Sequence, residues 1–332
     1  MAACKPSGAT RGRVVSAWAW GVALAEFRDT WGVCEFCVSC KVICGGRLHF
    51  PWPPAGDHGR LARVELAFTK MNGAGNDFVL LDNRGGQFAL SREEVARICH
   101  RQRGVGADGL ILLRPCVSGA ADWAWEFFNS DGSTAEMCGN GARCFARYVQ
   151  RVAGAGRRIS FETQAGVIHA EFCGERVRIG LTDPQGLRLH ESVATAAGPR
   201  VVHSLNTGVP HAVVFVEDAD EAMVQDWGRE LRWHAHFAPR GTNVNFVQRL
   251  GPSHLRVRTY ERGVEGETLA CGTGVSASAI IACAVHGFAP PVRVQVQGGD
   301  EMEVSFSGEG GVVKAVQLLG PADFTFEGRM TL

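Results

Sequence analysis

The stretch Leu269-Ala270-Cys271-Gly272-Thr273-Gly274-Val275-Ser276 decides the reading of this sequence. It has an earlier near-copy, Met137-Cys138-Gly139-Asn140-Gly141-Ala142-Arg143. Each is a cysteine, then Gly-x-Gly, then a run of helical character, and each follows a strand-like segment and a turn. At a helix start, the unpaired N–H groups and the positive dipole end favour a thiolate. Such settings bring a thiol pKa down to roughly 3.5–7.5. Glycines let the backbone approach a ligand closely, and the same N–H groups can bind a carboxylate. Two such starts facing one amino acid could take an α-proton from one face and return one to the other. That would invert the α-carbon without a cofactor.

The segments around the two strings repeat one plan. In the first half, strands are expected at Val64–Lys70, Phe78–Asp82, Leu110–Leu113 and Trp123–Phe128. Ser91-Arg92-Glu93-Glu94 reads as a capping box opening a helix. A second helix runs on from Cys138, and strands follow at Ile159–Thr163, Val167–Phe172 and Val177–Leu181. The second half offers strands at Val201–Leu205, Ala212–Val216, Val244–Gln248 and Leu255–Tyr260, with a helix at Glu221–Arg232 between them. A helix over Thr273–His286 and strands at Val292–Gln297, Glu301–Phe306 and Val312–Leu318 complete it, and Phe324–Leu332 could add a strand back to the first half. The result is an internal duplication whose unit is too long for a solenoid repeat.

Composition narrows the function. The chain has 332 residues, 45% of them apolar, and a formal net charge of zero. That is enough for two domains with a sizeable core. It argues against a nucleic-acid or membrane binder, which usually carries a basic surplus. Only four lysines are present, Lys5, Lys41, Lys70 and Lys314, and none is well placed for a pyridoxal Schiff base. The twelve cysteines are not a disulfide scaffold in a chain of this length. Cys99, Cys144 and Cys283 fall among apolar residues of helical segments and read as core. His190, His203 and His234 show no metal-ligand spacing, so no metal site is expected. Gly104–Gly109 lacks the Lys-Ser/Thr of a phosphate-binding loop.

Residues 1–63 differ in texture. They hold Trp18, Trp20, Trp31 and Trp52, half of the chain's eight tryptophans, and show no strand or helix period. Cys34, Cys37, Cys40 and Cys44 have the spacing of an iron–sulfur ligand run. The proline after the fourth cysteine is missing, with Gly45 in its place, and there is no second run. No cluster is therefore assigned, although an iron–sulfur protein stays open as a rival class. Arg11, Arg13 and Val14–Ala25 loosely resemble a secretory signal, but the apolar part is short and broken. It is too short to span a membrane. The leader is expected to be an upstream extension, with the working start near Val64.

Seven strings, in order, carry a resemblance. They are Gly75-Asn76-Asp77-Phe78, Phe128-Asn129-Ser130-Asp131-Gly132-Ser133, Cys138-Gly139-Asn140-Gly141-Ala142-Arg143, Gly208-Val209-Pro210-His211, Asn243-Val244, Glu261-Arg262-Gly263 and Ala270-Cys271-Gly272-Thr273-Gly274. Across residues 64–332 the chain resembles the diaminopimelate epimerases of lysine and cell-wall precursor biosynthesis. The resemblance implies an α+β fold of two pseudo-symmetric β-rich domains, each a curved sheet around a central helix, with the active site in the cleft between them. It places the first domain at 64–184, joined by 318–332, and the second at 185–317. It implies epimerisation of LL-2,6-diaminopimelate to the meso form, without cofactor, in a cytoplasmic homodimer.

The same resemblance makes Cys138 and Cys271 the acid/base pair. Asn76, Asn129, Asn243, Glu261 and Arg262 would grip the distal amino-carboxylate head of the substrate. Backbone groups at Gly139, Asn140, Gly272 and Thr273 would bind the reacting carboxylate. His211 near Cys138 and Glu261 near Cys271 would tune the thiols. A distal zwitterion does call for an arginine, a carboxylate and several amides. Some family members have Gln where Gly109 stands and Asn where Val209 stands, so those two carry no assigned role. The loop from Glu261 to Cys271 also looks one residue longer than in some members.

Plainer readings stand beside these. Asn76 and Asn129 could be turn residues, His211 a satisfied strand-start histidine, and Glu261 with Arg262 a solvated pair of little consequence. Rival functions are a proline or hydroxyproline racemase of the same superfamily and a dithiol redox protein. The first would lack the Glu-Arg-Gly string. The second would keep its function as a disulfide.

Overall fold

The computed structural model of the protein describes residues 65–309 and 312–332. The readings made for the leader, including the Cys34-to-Cys44 run, lie outside the described residues.

The first half opens with β1 (Glu65–Gly73) and β2 (Asn76–Asp82), an antiparallel hairpin whose turn residues Ala74 and Gly75 both have positive φ. The chain crosses through α1 (Arg92–Cys99) to β3 (Gly109–Pro115), parallel to β2, and turns back as β4 (Trp123–Asn129). It then crosses through α2 (Gly139–Ala153) to β5 (Arg158–Thr163), parallel to β4. Antiparallel β6 (Gly166–Cys173) and β7 (Arg176–Gly180) follow. Parallel neighbours need a long crossover, and the two helices supply it. The capping box is present at the start of α1: Ser91 Oγ accepts from the Glu94 N–H, and the Glu94 carboxylate accepts from the Ser91 N–H.

The second half repeats this path. β8 (Gln185–Thr195), β9 (Gly198–Asn206) and β10 (Pro210–Phe215) run antiparallel in turn. α3 (Val224–Arg232) crosses to β11 (Asn243–Gly251), parallel to β10, and β12 (His254–Glu261) turns back. A short β13 (Gly266–Thr268) folds onto the end of β12. α4 (Gly272–His286) then crosses to β14 (Val292–Val296), parallel to β12, followed by antiparallel β15 (Glu301–Glu309) and β16 (Val312–Gly320). Finally β17 (Asp323–Thr331) pairs with β1. Thus β17-β1-β2-β3-β4-β5-β6-β7 matches β8-β9-β10-β11-β12-β14-β15-β16 in order and in strand direction. The two runs join where β7 pairs with its counterpart β16.

Each half wraps its sheet around one helix. From Asn140 to Val149 only Arg147 of α2 is not buried, and α4 is buried continuously from Gly274 to Ala282. A helix covered on all sides must be apolar all round, and α4, rich in Ala, Val and Ile, is. Its two buried hydroxyls, Ser276 and Ser278, donate to the carbonyls of Gly272 and Gly274 one turn back, at 3.0 and 2.7 Å. Buried polar groups need such partners. In the first half Phe145 of α2 packs on Phe161 and Trp125, with ring centroids 4.7 and 5.8 Å away.

Three departures from the sequence expectations have physical causes. β8 was not anticipated. It is a mostly exposed edge strand with two register shifts, so it shows no apolar alternation. β1 and β2 extend into the interval left between the expected strands Val64–Lys70 and Phe78–Asp82, because Ala74 and Gly75 alone make the reversal. α3 starts at Val224 rather than Glu221, after a bend held by Asp218 accepting from the Asp220 N–H.

At the far end of α4, the β8–β9 pairing brings His190 against His203, with centroids 4.8 Å apart, and Phe215 lies between His203 and His286. Burial, then the charges of His190 and His286, push the His203 pKa down to about 4. Burial and Arg262 push that of His211 down to about 3. In the unfolded chain both imidazoles take a proton near pH 6.5. Their contribution to stability is therefore intact above pH 6.5 and lost as pH falls through the interval down to those values. We expect the thermal midpoint to drop over that range, and His203→Gln to flatten the drop. An identical pH slope in the variant would remove His203 as a cause.

Candidate active site

Cys138 and Cys271 occupy equivalent places, the residues that cap the starts of α2 and α4. Both have extended backbone, and both side chains open into one cleft of 870 Å³ between the halves. The Gly-x-Gly after each cysteine keeps the first helical turn clear. At Gly274 the requirement is strict: a Cβ would lie 2.3 Å from the side-chain oxygen of Asn245.

Asn76, Asn129, Gly139, Asn140, Glu261, Arg262, Gly272 and Thr273 line the same cleft. Asn76 sits just past the β1–β2 turn. Its Nδ2 donates to Asp108 at 3.0 Å, and its Oδ1 accepts from Asn140 Nδ2 at 2.5 Å. Asn129, at the end of β4, donates to Ser133 Oγ at 3.0 Å. Glu261 and Arg262 enter through the hairpin from β12 to β13, whose tight turn uses Gly263 and Glu265 at positive φ.

Two predicted residues lie behind the cleft instead. Asn243 is buried with both ends of its amide on the backbone: it donates to Pro210 O at 3.1 Å and accepts from the Arg262 N–H at 2.8 Å. It therefore holds Arg262 in place. His211 is also buried, and its partners lie toward Cys271 rather than Cys138. Asn245 Nδ2 donates to His211 Nδ1 at 3.2 Å, which leaves the hydrogen on Nε2. Nε2 donates to Thr273 Oγ1 at 2.9 Å, and Thr273 Oγ1 lies 3.5 Å from Cys271 Sγ.

Neither thiol has the lowered pKa expected at a helix start. Burial pushes the Cys271 thiol up to about 12, and the charge of Glu261 adds to this, against Thr273 and the Gly274 N–H. Burial also raises Cys138, against the Gly141 and Asn140 N–H groups and Arg143. Desolvation within the cleft outweighs the helix N-terminus here. Burial raises Glu261 as well. The remaining charges lining the cleft are mostly paired: Arg101 with Asp77 and Asp108, Asp131 with Arg92, and Glu267 with Arg258. Among the described residues Glu261 and Arg262 make no ion pair. One carboxyl and one guanidinium thus stay available to a ligand with an amino-carboxylate head.

Sequence reasoning missed Asp108, Arg143 and Asn245. Asp108 was hidden in a loop read only for its glycines. Asn245 could have been found, because Asn243 and Asn245 fall on one face of a strand.

The diaminopimelate epimerase family model matches residues 68–185 and 203–324. The diaminopimelate epimerase of Aquifex aeolicus is 44% identical over 80% of this chain and 98% of its own. The chain belongs to the diaminopimelate epimerase family. Solved structures at low identity share the fold of this family. A phenazine biosynthesis protein of the PhzF family from Bacillus anthracis superposes with a TM-score of 0.63 at 15% identity, covering 81% of this chain and all of that one. A hydroxyproline epimerase from Agrobacterium vitis gives 0.61 at 16%, covering 81% and 93%. The family strings of this chain, Cys-Gly-x-Gly twice and Glu-Arg-Gly once, all meet at the cleft.

Proposed function

We propose that the protein epimerises LL-2,6-diaminopimelate to meso-diaminopimelate, a step toward lysine and cell-wall precursors, with Cys138 and Cys271 as its two bases. The observation that carries this reading is the pair of equivalent cysteines opening into one cleft beside an unpaired Glu261 and Arg262. The reacting carboxylate lies between the N–H groups at the starts of α2 and α4. The distal head pairs its carboxylate with Arg262 and its ammonium with Glu261, with Asn76 and Asn129 at hand. One sulfur, as thiolate, takes the α-proton: a C–H bond breaks and an S–H bond forms. The opposite thiol delivers its proton to the other face of the carbon, and the negative charge ends on that second sulfur. The reverse reaction swaps the roles, which fits the repeat. Exclusion of water and fixed N–H donors stabilise the charge that develops on the substrate. The mechanism uses neither pyridoxal nor metal. The enzyme acts in the cytoplasm as a homodimer.

The test is turnover of LL-diaminopimelate by the purified chain in deuterated water. Meso product should carry deuterium at the inverted carbon before recovered substrate does, and L-proline and trans-4-hydroxy-L-proline should stay unchanged. Turnover of either proline substrate with none of diaminopimelate would overturn the reading and favour the racemase alternative.

A further inference from the structure

The two sites are near-copies, but one position, a full turn into each helix, differs in charge. In the repeat Arg143 corresponds to Ser276, since each stands five residues after its cysteine. Ser276 Oγ donates to Gly272 O at 3.0 Å, a neutral contact. Arg143 reaches the equivalent carbonyl, donating from one terminal nitrogen to Gly139 O at 3.3 Å. Its other terminal nitrogen donates to Asn140 Oδ1 at 2.8 Å and to Gly73 O at 3.4 Å, and its Nε donates to Pro321 O at 3.0 Å. Arg143 is fully buried, and all four of these acceptors are neutral.

Gly139 C=O and Asn140 N–H belong to one peptide unit. A cation on the oxygen polarises that unit and makes its N–H a stronger donor. That N–H is one of the two beside the Cys138 sulfur. The same arginine fixes the Asn140 side chain, so that Nδ2 faces Asn76 Oδ1 and Asn76 Nδ2 faces Asp108. A directed run of donors thus leads from a buried cation to a carboxylate past the start of α2. The start of α4 has a serine at this point.

We propose that Arg143 is a positioning residue that breaks the symmetry of the pair: by polarising the Gly139–Asn140 peptide it makes Cys138 the more readily ionised of the two sulfurs. This rests on the two-thiol reading above. The other groups facing Cys138 are Glu261 and Arg262 at the end of β12, Cys271 at the start of α4, and Asp108 with Arg101 across the cleft. Glu261 disfavours charge on both sulfurs. Glu261 stays in place in the Arg143 variants, so a shift of the Cys138 midpoint there belongs to Arg143.

The experiment is a pH series of brief iodoacetamide pulses on the reduced, ligand-free chain, with alkylation of Cys138 and Cys271 quantified separately by peptide mass spectrometry. The midpoint in pH reports the thiolate of each sulfur independently of its access. We expect Cys138 to titrate at least one unit below Cys271. In Arg143→Gln the Cys138 midpoint should rise by roughly one unit, and that of Cys271 should hold. kcat should fall on the order of tenfold with a smaller change in KM. Should Arg143→Gln fail to fold, Arg143→Lys keeps a cation in the core but loses the fork that grips Gly139 and Asn140 together. It should move Cys138 the same way by less. A wild-type order with Cys271 below Cys138, or an unmoved Cys138 midpoint in either folded variant, would refute the proposal. Because the titration is read without substrate, it separates this outcome from a failure of the epimerase reading, which would show as absent turnover in the unmodified chain.

Discussion

Alanine at either Cys138 or Cys271 will reduce epimerisation by about a thousandfold or more, with the circular dichroism spectrum unchanged. General acid–base catalysis by one positioned group is worth about 10²- to 10⁴-fold. Here no second group stands ready to replace either sulfur: His211 is buried behind Thr273, and Glu261 is the shared neighbour of both thiols. The fold should tolerate the loss, since neither cysteine makes a side-chain capping hydrogen bond and the contact from Cys271 Sγ to Thr273 Oγ1 is long at 3.5 Å. A finer outcome follows from the geometry. A single variant keeps one base on one face of the α-carbon. It can remove a proton and return a deuteron to the same face, which exchanges hydrogen without inverting the centre. Cys138→Ala and Cys271→Ala should therefore exchange the α-hydrogen of opposite stereoisomers in deuterated water. Full turnover in either variant, or exchange of the same isomer in both, would end the two-base scheme.

The duplication was legible because its marks are local. A cysteine followed by Gly-x-Gly and a helical run can be read without any knowledge of what it touches. The same is true of the capping box at Ser91 and of the strands whose one face is buried. What escaped was set by distant contacts. β8 and β17 take the same place in the two runs and both are mostly exposed, but the β8–β9 pairing carries two register shifts where β1–β17 carries one. Its identity as a strand comes from its partner, not from its own pattern. The thiol pKa values went the other way from expectation for a similar reason: a helix start is visible in sequence, but the packing that desolvates its thiol is not. Asn243 and His211 were picked out as site residues, but only the folded chain shows that they hold Arg262 and Thr273 rather than line the cleft. Arg143 was part of a quoted string and went unremarked, because full burial of an arginine cannot be inferred from neighbouring letters.

Arg262→Met should raise KM for diaminopimelate by roughly a hundredfold with a smaller effect on kcat. A hydrogen bond to a charged group contributes about 1.5–3 kcal/mol, and a guanidinium binds a carboxylate through two of them. About 2.7 kcal/mol corresponds to a hundredfold. Arg262 can give this because it is not already engaged: its backbone N–H is anchored by Asn243, while its side chain makes no ion pair among the described residues. Arg101 lines the same cleft but is held by Asp77 and Asp108. Arg101→Met should therefore act mainly by loosening Asp108 and Asn76, and weaken binding less. Arg262→Lys should recover only part of the loss, since an ammonium cannot reproduce the two-point contact. Glu261→Gln should behave differently from both. Glu261 disfavours charge on Cys138 and on Cys271, and in the proposed binding mode it would also face the distal ammonium, so its loss should change kcat together with KM. If Arg262→Met leaves kcat/KM for diaminopimelate within threefold of the parent, the distal head does not bind there. The two-headed substrate would then lose its structural basis, even with both cysteines essential.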